Sequence, residues 1–131
     1  MPDDSIIISH AEPGAGAWTR GTTLVVGDHP AAGVATEVAG LHVDHADDEA
    51  WYVVSGALRF RLTDREVIAE AGSTVLVPAG VPHTFGNAGP DPSRFLIILT
   101  PNLAELISRL DRTDRAEHPA LYRAHQSELL E

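Results

Sequence analysis

Between His42 and Asn87 the sequence concentrates side chains that bind divalent metals or move protons: His42, Asp44, His45 and Glu49 in one stretch, and His83 in another. Neutral imidazole and ionised carboxylate are common nitrogen and oxygen donors for such ions. Buried without partners these groups cost several kcal/mol in desolvation, so a group of them directed into an apolar interior needs a cation, or a closed hydrogen-bond network, to offset that cost. A metal centre and a metal-free polar cluster both satisfy this requirement.

The surrounding elements must bring the two stretches together. From Gly72 to Val77 the chain reads as a turn followed by a strand, Thr74 to Val77, and Pro78, Gly80 and Pro82 then form a turn that delivers His83 at a set position. Strand parity puts His83, Phe85 and Asn87 on one face. In the first stretch the same parity points His42 and Asp44 one way and His45 the other, unless a bulge intervenes. After the acidic turn Asp47-Asp48, the residues Glu49, Trp51 and Val53 return to the His42 face. The predicted convergence is His42, Asp44, Glu49 and His83, with His45 on the outer face or, through a bulge, in place of Asp44.

These two stretches resemble the paired motifs of the cupin superfamily. Gly72, Pro78, Gly80, His83 and Asn87 match the second motif throughout. His42, Glu49 and Gly56 match the first, whereas Asp44 stands where a second His is expected and Thr36 where a leading Gly is expected. The resemblance spans residues 20 to 100 and, with both motifs present, is far more specific than either alone. It implies an all-β fold, a cupin β-barrel (double-stranded β-helix or jelly roll), of the small single-domain, quercetinase-like type. It further implies a divalent metal, Fe(II), Mn(II), Ni(II) or Zn(II), held by His42, Glu49 and His83, with Asp44 as the fourth candidate ligand. The superfamily includes dioxygenases, isomerases, epimerases, decarboxylases, cyclases and plain binding proteins, and the fold alone does not select among them.

Taken in order, Ile6 to Ile8 reads as an edge strand, with His10 solvated at its end. Trp18 to Val26 reads as a strand closed by a turn at Gly27-Asp28-His29-Pro30, with His29 at the surface. Residues 34 to 45 and 50 to 55 read as strands, and Gly56-Ala57 as a tight hairpin into Leu58 to Leu62, where Leu58, Phe60 and Leu62 alternate with Arg59 and Arg61. Val67 to Ala69 and Thr84 to Phe85 follow, and Arg94 to Leu99 is an apolar run suited to a strand covered on both faces. Regularly spaced short strands indicate an all-β sandwich or barrel. The tail changes period: Asn102 with Glu105 reads as a capping-box variant ahead of the stripe Leu103, Leu106, Ile107 and Leu110. Asp111 to Glu117 reads as a charged linker and Pro119 to Leu130 as a second helix. The predicted tail covers a cavity mouth or mediates dimerisation.

The whole chain of 131 residues reads as one domain, with a barrel core at residues 18 to 100 and a helical tail at 102 to 130. It contains no Cys and no Lys, which excludes disulfides, thiolate chemistry and a lysine Schiff base. A net charge of −10 argues against nucleic-acid and membrane partners. The acidic start and the short Ile6 to Ile8 run give an expectation of a cytoplasmic protein, and a homodimer is the default for this kind of barrel. Trp51, Val53, Phe60, Phe85 and Asn87 are predicted to line a mostly apolar pocket without an inward-facing basic residue, or, for Trp51 and Phe85, to pack in the core. The expected function is a metal-dependent, dioxygenase-like enzyme acting on a small, largely apolar enolisable or aromatic metabolite, with Glu49 as ligand or general base. The alternatives are a metal-dependent isomerase or cyclase, and a non-catalytic small-molecule binding module with a degenerate metal site.

Overall fold

The computed structural model of the chain describes residues 6–12, 14–31, 37 and 39–131. The strands are β1 (Ala17–Arg20), β2 (Val25–Ala31), β3 (His42–Asp44), β4 (Glu49–Ser55), β5 (Ala57–Arg61), β6 (Glu66–Glu70), β7 (Thr74–Val77), β8 (Thr84–Asn87), β9 (Ser93–Leu99) and β10 (Ser127–Leu129). Between β9 and β10 lie helix α1 (Pro101–Leu110), a 3-10 turn (Arg115–Glu117) and helix α2 (His118–Ala124). One antiparallel sheet has the order β1-β2-β9-β4-β7, and facing it are the groups β6-β5-β8 and β10-β3. Paired backbone bonds join these two groups: the His42 N–H donates to the His83 carbonyl (3.1 Å) and the His83 N–H to the His42 carbonyl (2.8 Å). The result is a jelly-roll sandwich with two short C-terminal helices.

Alternation along the strands builds the core. Trp51 and Val53 of β4, Leu58 of β5 and Leu99 of β9 are fully buried, and Phe60 of β5 and Phe95 and Ile97 of β9 are buried beside them. The Trp51 ring meets Phe60 edge-on at 4.9 Å and Phe85 at 5.2 Å, and Phe85 meets Phe95 at 5.4 Å. Such contacts add to the gain from burying aromatic area. β9 runs between β2 and β4, and its inner face is buried while Leu96 and Ile98 on the outer face are half-buried.

Several expectations are corrected. Ile6 to Ile8 is exposed and forms no strand. Trp18 to Val26 is not one strand but the hairpin β1–β2, reversed at Gly21, whose N–H donates to the Leu24 carbonyl (2.7 Å). Gly27 to Pro30 lies inside β2. Pro30 lies past the end of the β1 pairing at Ala17↔Asp28, where among the described residues β2 is laddered to β9 alone, the edge setting in which a strand tolerates proline. Of the expected strand from 34 to 45, the described residues form β3 and an isolated bridge of Glu37 to Gly86; residues 34–36 and 38 lie outside the described residues. Gly56 does not turn a hairpin, since β4 and β5 pair with different partners. The chain passes there from one sheet to the other with φ +71°, and a Cβ would sit 2.7 Å from the Pro92 carbonyl oxygen and from Ser93 Cβ.

The tail also departs from its pattern. Thr100, not Asn102, caps α1, its hydroxyl accepting from the Leu103 N–H, with Pro101 at the first turn. Asn102 instead donates to Asp47 (2.8 Å) and to the His125 carbonyl (2.9 Å), while its own carbonyl oxygen accepts from His125 Nδ1 (2.9 Å). Residues past Ala124 are not helical. Gln126 takes a left-handed conformation (φ 54°) and the chain returns as β10 to pair with β3. Among the described residues no helix is long and apolar enough to cross a membrane.

Gly56 and Gly72 therefore differ in what they demand. Both have positive φ, but Gly72 faces open space. Gly72→Ala should cost about 1 kcal/mol from the backbone alone, and Gly56→Ala about 3 kcal/mol, because overpacking adds to it. Urea denaturation of both variants checks the order.

Candidate metal centre

Three elements position the cluster. β3 carries His42 and Asp44, β4 starts at Glu49, and the turn before β8 carries His83. The motif turn is tied to β3 by the Gly80 N–H donating to the Asp44 carbonyl (2.8 Å), and to the acidic turn by the Ala79 N–H donating to Asp48 (2.9 Å). One donor atom from each of His42, Asp44, Glu49 and His83 lies within 4.8 Å of the others. His83 Nε2 is 3.1 Å from Glu49 Oε1 and 3.8 Å from Asp44 Oδ2, and His42 Nε2 is 3.9 Å from the same Asp44 oxygen. His45 points away: its exposed ring is 3.7 Å from Glu128, and no bulge brings it inward.

Backbone carbonyls fix the tautomers. His42 Nδ1 lies 2.8 Å from the Gly40 carbonyl and His83 Nδ1 lies 2.9 Å from the Val81 carbonyl. A carbonyl only accepts, so Nδ1 carries the proton in both rings and Nε2 is left facing the cluster, the arrangement that orients metal-binding imidazoles. Burial pushes His42 below its ordinary value, against the pull of the Asp44 charge, so its ring is held neutral. Burial also pushes the Glu49 carboxyl up, with the nearby Asp44 charge adding to it and the His83 hydrogen bond opposing. For His83, burial disfavours the charged ring, but the Glu49 hydrogen bond and charge outweigh it and raise the imidazole's affinity for a proton.

Two carboxylates and two imidazoles are thus buried together with a shortage of positive charge. An isolated buried ion costs several kcal/mol, and removal of one partner from such a group leaves the rest uncompensated. The donor set, two nitrogens and two oxygens with both Nε2 atoms aimed inward, fits a first-row divalent ion.

A cavity of about 820 Å³ opens from this cluster, within the size range of small-molecule sites. His42, Asp44 and Glu49 line it with Phe85, Phe95 and Tyr122. Of the residues expected in the pocket, Phe85 and Asn87 belong to the lining, whereas Trp51, Val53 and Phe60 do not. They sit farther inside, where the aromatic contacts of the core enclose them. The expectation of a lining free of basic residues is also corrected. Exposed Arg115 and half-buried His118 belong to the lining, as does His29, which the strand continuation of β2 turns inward under Trp18.

Of the two roles expected for the tail, covering a cavity is the one the lining shows, and what sequence reasoning missed is the part of Tyr122 and Ser127 in the site. Leu103 and Leu106 of α1 and Tyr122 of α2 wall the cavity, so the tail covers it. The Tyr122 ring lies 5.4 Å from that of His42, and its phenol is pushed up to about 12 by burial and by the charges of Asp44 and Glu49, which keeps the hydroxyl protonated. Ser127 of β10 donates to Asp44 Oδ1 (3.0 Å). The one sequence signal for Tyr122 is a polar-tipped aromatic beside apolar neighbours; for Ser127 there is none.

This fold and site define a class. The chain matches the Cupin_2 family (Cupin domain) over residues 34–99, half of its length, and belongs to that family. Over 57 residues it is 39% identical to the uncharacterized protein SCO3923 of Streptomyces coelicolor, covering 44% of this chain and 53% of that one, so the chain spans about half the length of that relative. Among solved structures, a cupin protein of Bacteroides fragilis superposes with a TM-score of 0.66 at 16% identity, covering 75% of this chain and 86% of the other. The polyketide cyclase RemF of Streptomyces resistomycificus gives 0.53 at 22%, covering 61% and 56%. A sugar phosphate isomerase of Silicibacter pomeroyi gives 0.54 at 25%, covering 60% and 50%. Cupins commonly bind a metal, and the His42, Asp44, Glu49 and His83 cluster is a group that could hold one.

Because the cluster forms only in the folded chain, a bound ion stabilises that state by mass action. Adding Mn(II), Ni(II) or Zn(II) to about 100 times its dissociation constant should stabilise the protein by about 2.7 kcal/mol, a rise of several degrees in Tm. His83→Ala should lose that rise. Calorimetric melting with and without each ion checks it.

Proposed function

We propose that this cupin is a metal-dependent enzyme acting on a small, largely apolar metabolite that carries an enolisable carbonyl, a hydroxyketone or a phenol. The observation that carries this reading is the four-donor cluster opening into a cavity walled mostly by apolar side chains. A divalent ion held by His42, Asp44, Glu49 and His83 supplies Lewis acidity toward a substrate oxygen. Phe85, Phe95 and Leu106 enclose the carbon skeleton and exclude water, and Asn87 stands in the lining as an amide contact. Tyr122 presents a neutral hydroxyl beside the cluster, suited to donating to the same oxygen. Glu49, which lines the cavity, is the catalytic residue in this reading: released from the ion, its carboxylate takes the proton from the substrate carbon, while His83, protonated at Nδ1 and turned to the ion through Nε2, remains a ligand.

The first form of this reading is dioxygenase-like, with the enolised or phenolic substrate reacting with dioxygen. The second is a redox-neutral cyclisation or isomerisation. It is supported by the likeness to a polyketide cyclase and a sugar phosphate isomerase. For the assembly we infer a homodimer through the outer face of the five-stranded sheet. There Val26, Ile98, Ala50 and Leu76 form a row across four strands, and Tyr52, Val54 and Leu76 are 40%, 42% and 61% exposed.

Metal-loaded protein incubated with 1,3-diketones, α-hydroxyketones and phenols tests the activity. Oxygen uptake together with product formation supports the dioxygenase form, and turnover that persists under strict anaerobiosis supports the second. Glu49→Gln should lower kcat at least 100-fold. Binding without turnover, altered only in affinity by Glu49→Gln, would leave a ligand-binding module instead. Sedimentation should give a dimer that Leu76→Glu converts to monomer, and a monomeric parent would contradict the assembly.

A further inference from the structure

Asp44 occupies the place where the first cupin motif carries its second His, and a carboxylate differs from an imidazole in a way that matters to a ligand. An imidazole presents one nitrogen once its other nitrogen is tied to a carbonyl. A carboxylate presents two equivalent oxygens, exchanged by rotation about its last bond, so its donor atom is not fixed unless something distinguishes them. The structure contains such a device.

Ser127 lies directly opposite Asp44 in the β3–β10 ladder, outside the residues 34–99 that match the family. It is 3% exposed. Its Oγ is 3.0 Å from Asp44 Oδ1 and 3.2 Å from the His125 carbonyl. The hydroxyl has a single proton. The carboxylate is the stronger and nearer acceptor, and the His125 carbonyl already accepts from Asn102 Nδ2 at 2.9 Å, so the proton goes to Asp44. With Oδ1 engaged, it is Oδ2 that faces His83 Nε2 at 3.8 Å and His42 Nε2 at 3.9 Å.

The backbone around Ser127 is held for this purpose at several points. The His45 N–H donates to the Gln126 carbonyl (2.9 Å) and the Leu130 N–H to the Leu41 carbonyl (2.8 Å), locking the register of β10 on β3. Gln126, next to Ser127, sits at φ 54°, a conformation that side-chain-bearing residues seldom adopt and that turns the chain from α2 into the strand. The buried His125 before it is fixed by Asn102 at Nδ1, and Arg109 donates to its Nε2 (3.2 Å).

We propose that Ser127 is a positioning residue of the metal centre: by donating to Oδ1 it holds Asp44 as a single-oxygen ligand through Oδ2, so the C-terminal strand completes the site that the cupin motifs begin. This rests on the metal-centre reading above.

Co(II), whose visible absorption reports its donor set, is the probe. Parent protein, Ser127→Ala, Ser127→Cys and Ser127→Thr are titrated with Co(II), and the metal-free forms are melted separately. Ser127→Ala and the near-isosteric Ser127→Cys should bind on the order of 10- to 100-fold more weakly, the usual cost of losing a hydrogen bond to a ligand, with an altered visible band and little change in the metal-free Tm. Ser127→Thr, which keeps the hydroxyl, should return to within a few-fold of the parent. Parent-like affinity and spectrum in both Ser127→Ala and Ser127→Cys would overturn the proposal while leaving the metal centre standing. Equal loss in all three variants would also overturn it, because the hydroxyl would then not be the cause. A parent that takes up no Co(II) would overturn both readings.

Discussion

Two backbone hydrogen bonds between His42 and His83 hold the structure's functional logic in place. They are the only strand-like pairing between β3 and the turn that leads into β8 among the described residues, and they set the two imidazole rings 4.6 Å apart. Once these segments are paired, the alternation of side chains leaves His42, Asp44 and His83 on the inner side, and Glu49 arrives from the facing sheet. Four ionisable groups then share one buried volume. The desolvation cost of that arrangement, several kcal/mol for an uncompensated ion, is the constraint to which the rest of the site answers. The carbonyls of Gly40 and Val81 orient the rings, Ser127 engages one carboxylate oxygen, and a cation would supply the missing charge.

The C-terminal segment is the part of the molecule that converts a cluster into a site with a cavity. The apolar stripe of α1 packs on the barrel with Leu103 and Leu106 buried, and α2 sets Tyr122 against His42. The network of Asn102, Asp47, His125 and Arg109 ties both helices to the acidic turn between Asp44 and Glu49. Glu131 adds a second tie, accepting from Arg61 and from the Leu41 N–H next to His42. The roof and the donor set are therefore parts of one bonded unit, and a change in either is transmitted to the other through short contacts.

What could be read from the sequence follows from how local its causes are. The turn at Pro78, Gly80 and Pro82 and the parity of β5 depend on neighbours a few residues away, and spacing exposes them; the convergence of His42, Asp44, Glu49 and His83 rests on long-range pairing and is legible through the paired motifs. Gly56 reads as a hairpin because a glycine with positive φ is common to hairpins and to sheet crossings. Only the presence of Pro92 and Ser93 against it, from a distant strand, distinguishes the two. Pro30 reads as a turn because its place past the end of the β1 pairing is a tertiary fact. Leu121, Tyr122 and Leu129 suggest a continuous helix, yet the chain breaks at Gln126 so that Ser127 can meet Asp44; the pairing with β3 overrides the local period. Trp51, Val53 and Phe60 share a face with the site but lie deeper, where parity cannot tell core from cavity.

Metal analysis of the protein purified without a histidine tag tests the central claim most directly, with the ion's position then fixed by anomalous diffraction. The expected result is close to one divalent ion per chain, bounded by His42 Nε2, His83 Nε2, Glu49 and a single oxygen of Asp44. Absence of a bound ion after anaerobic reconstitution with Fe(II), Mn(II), Ni(II) and Zn(II) would contradict it, and the buried cluster would then be a self-contained hydrogen-bonded group.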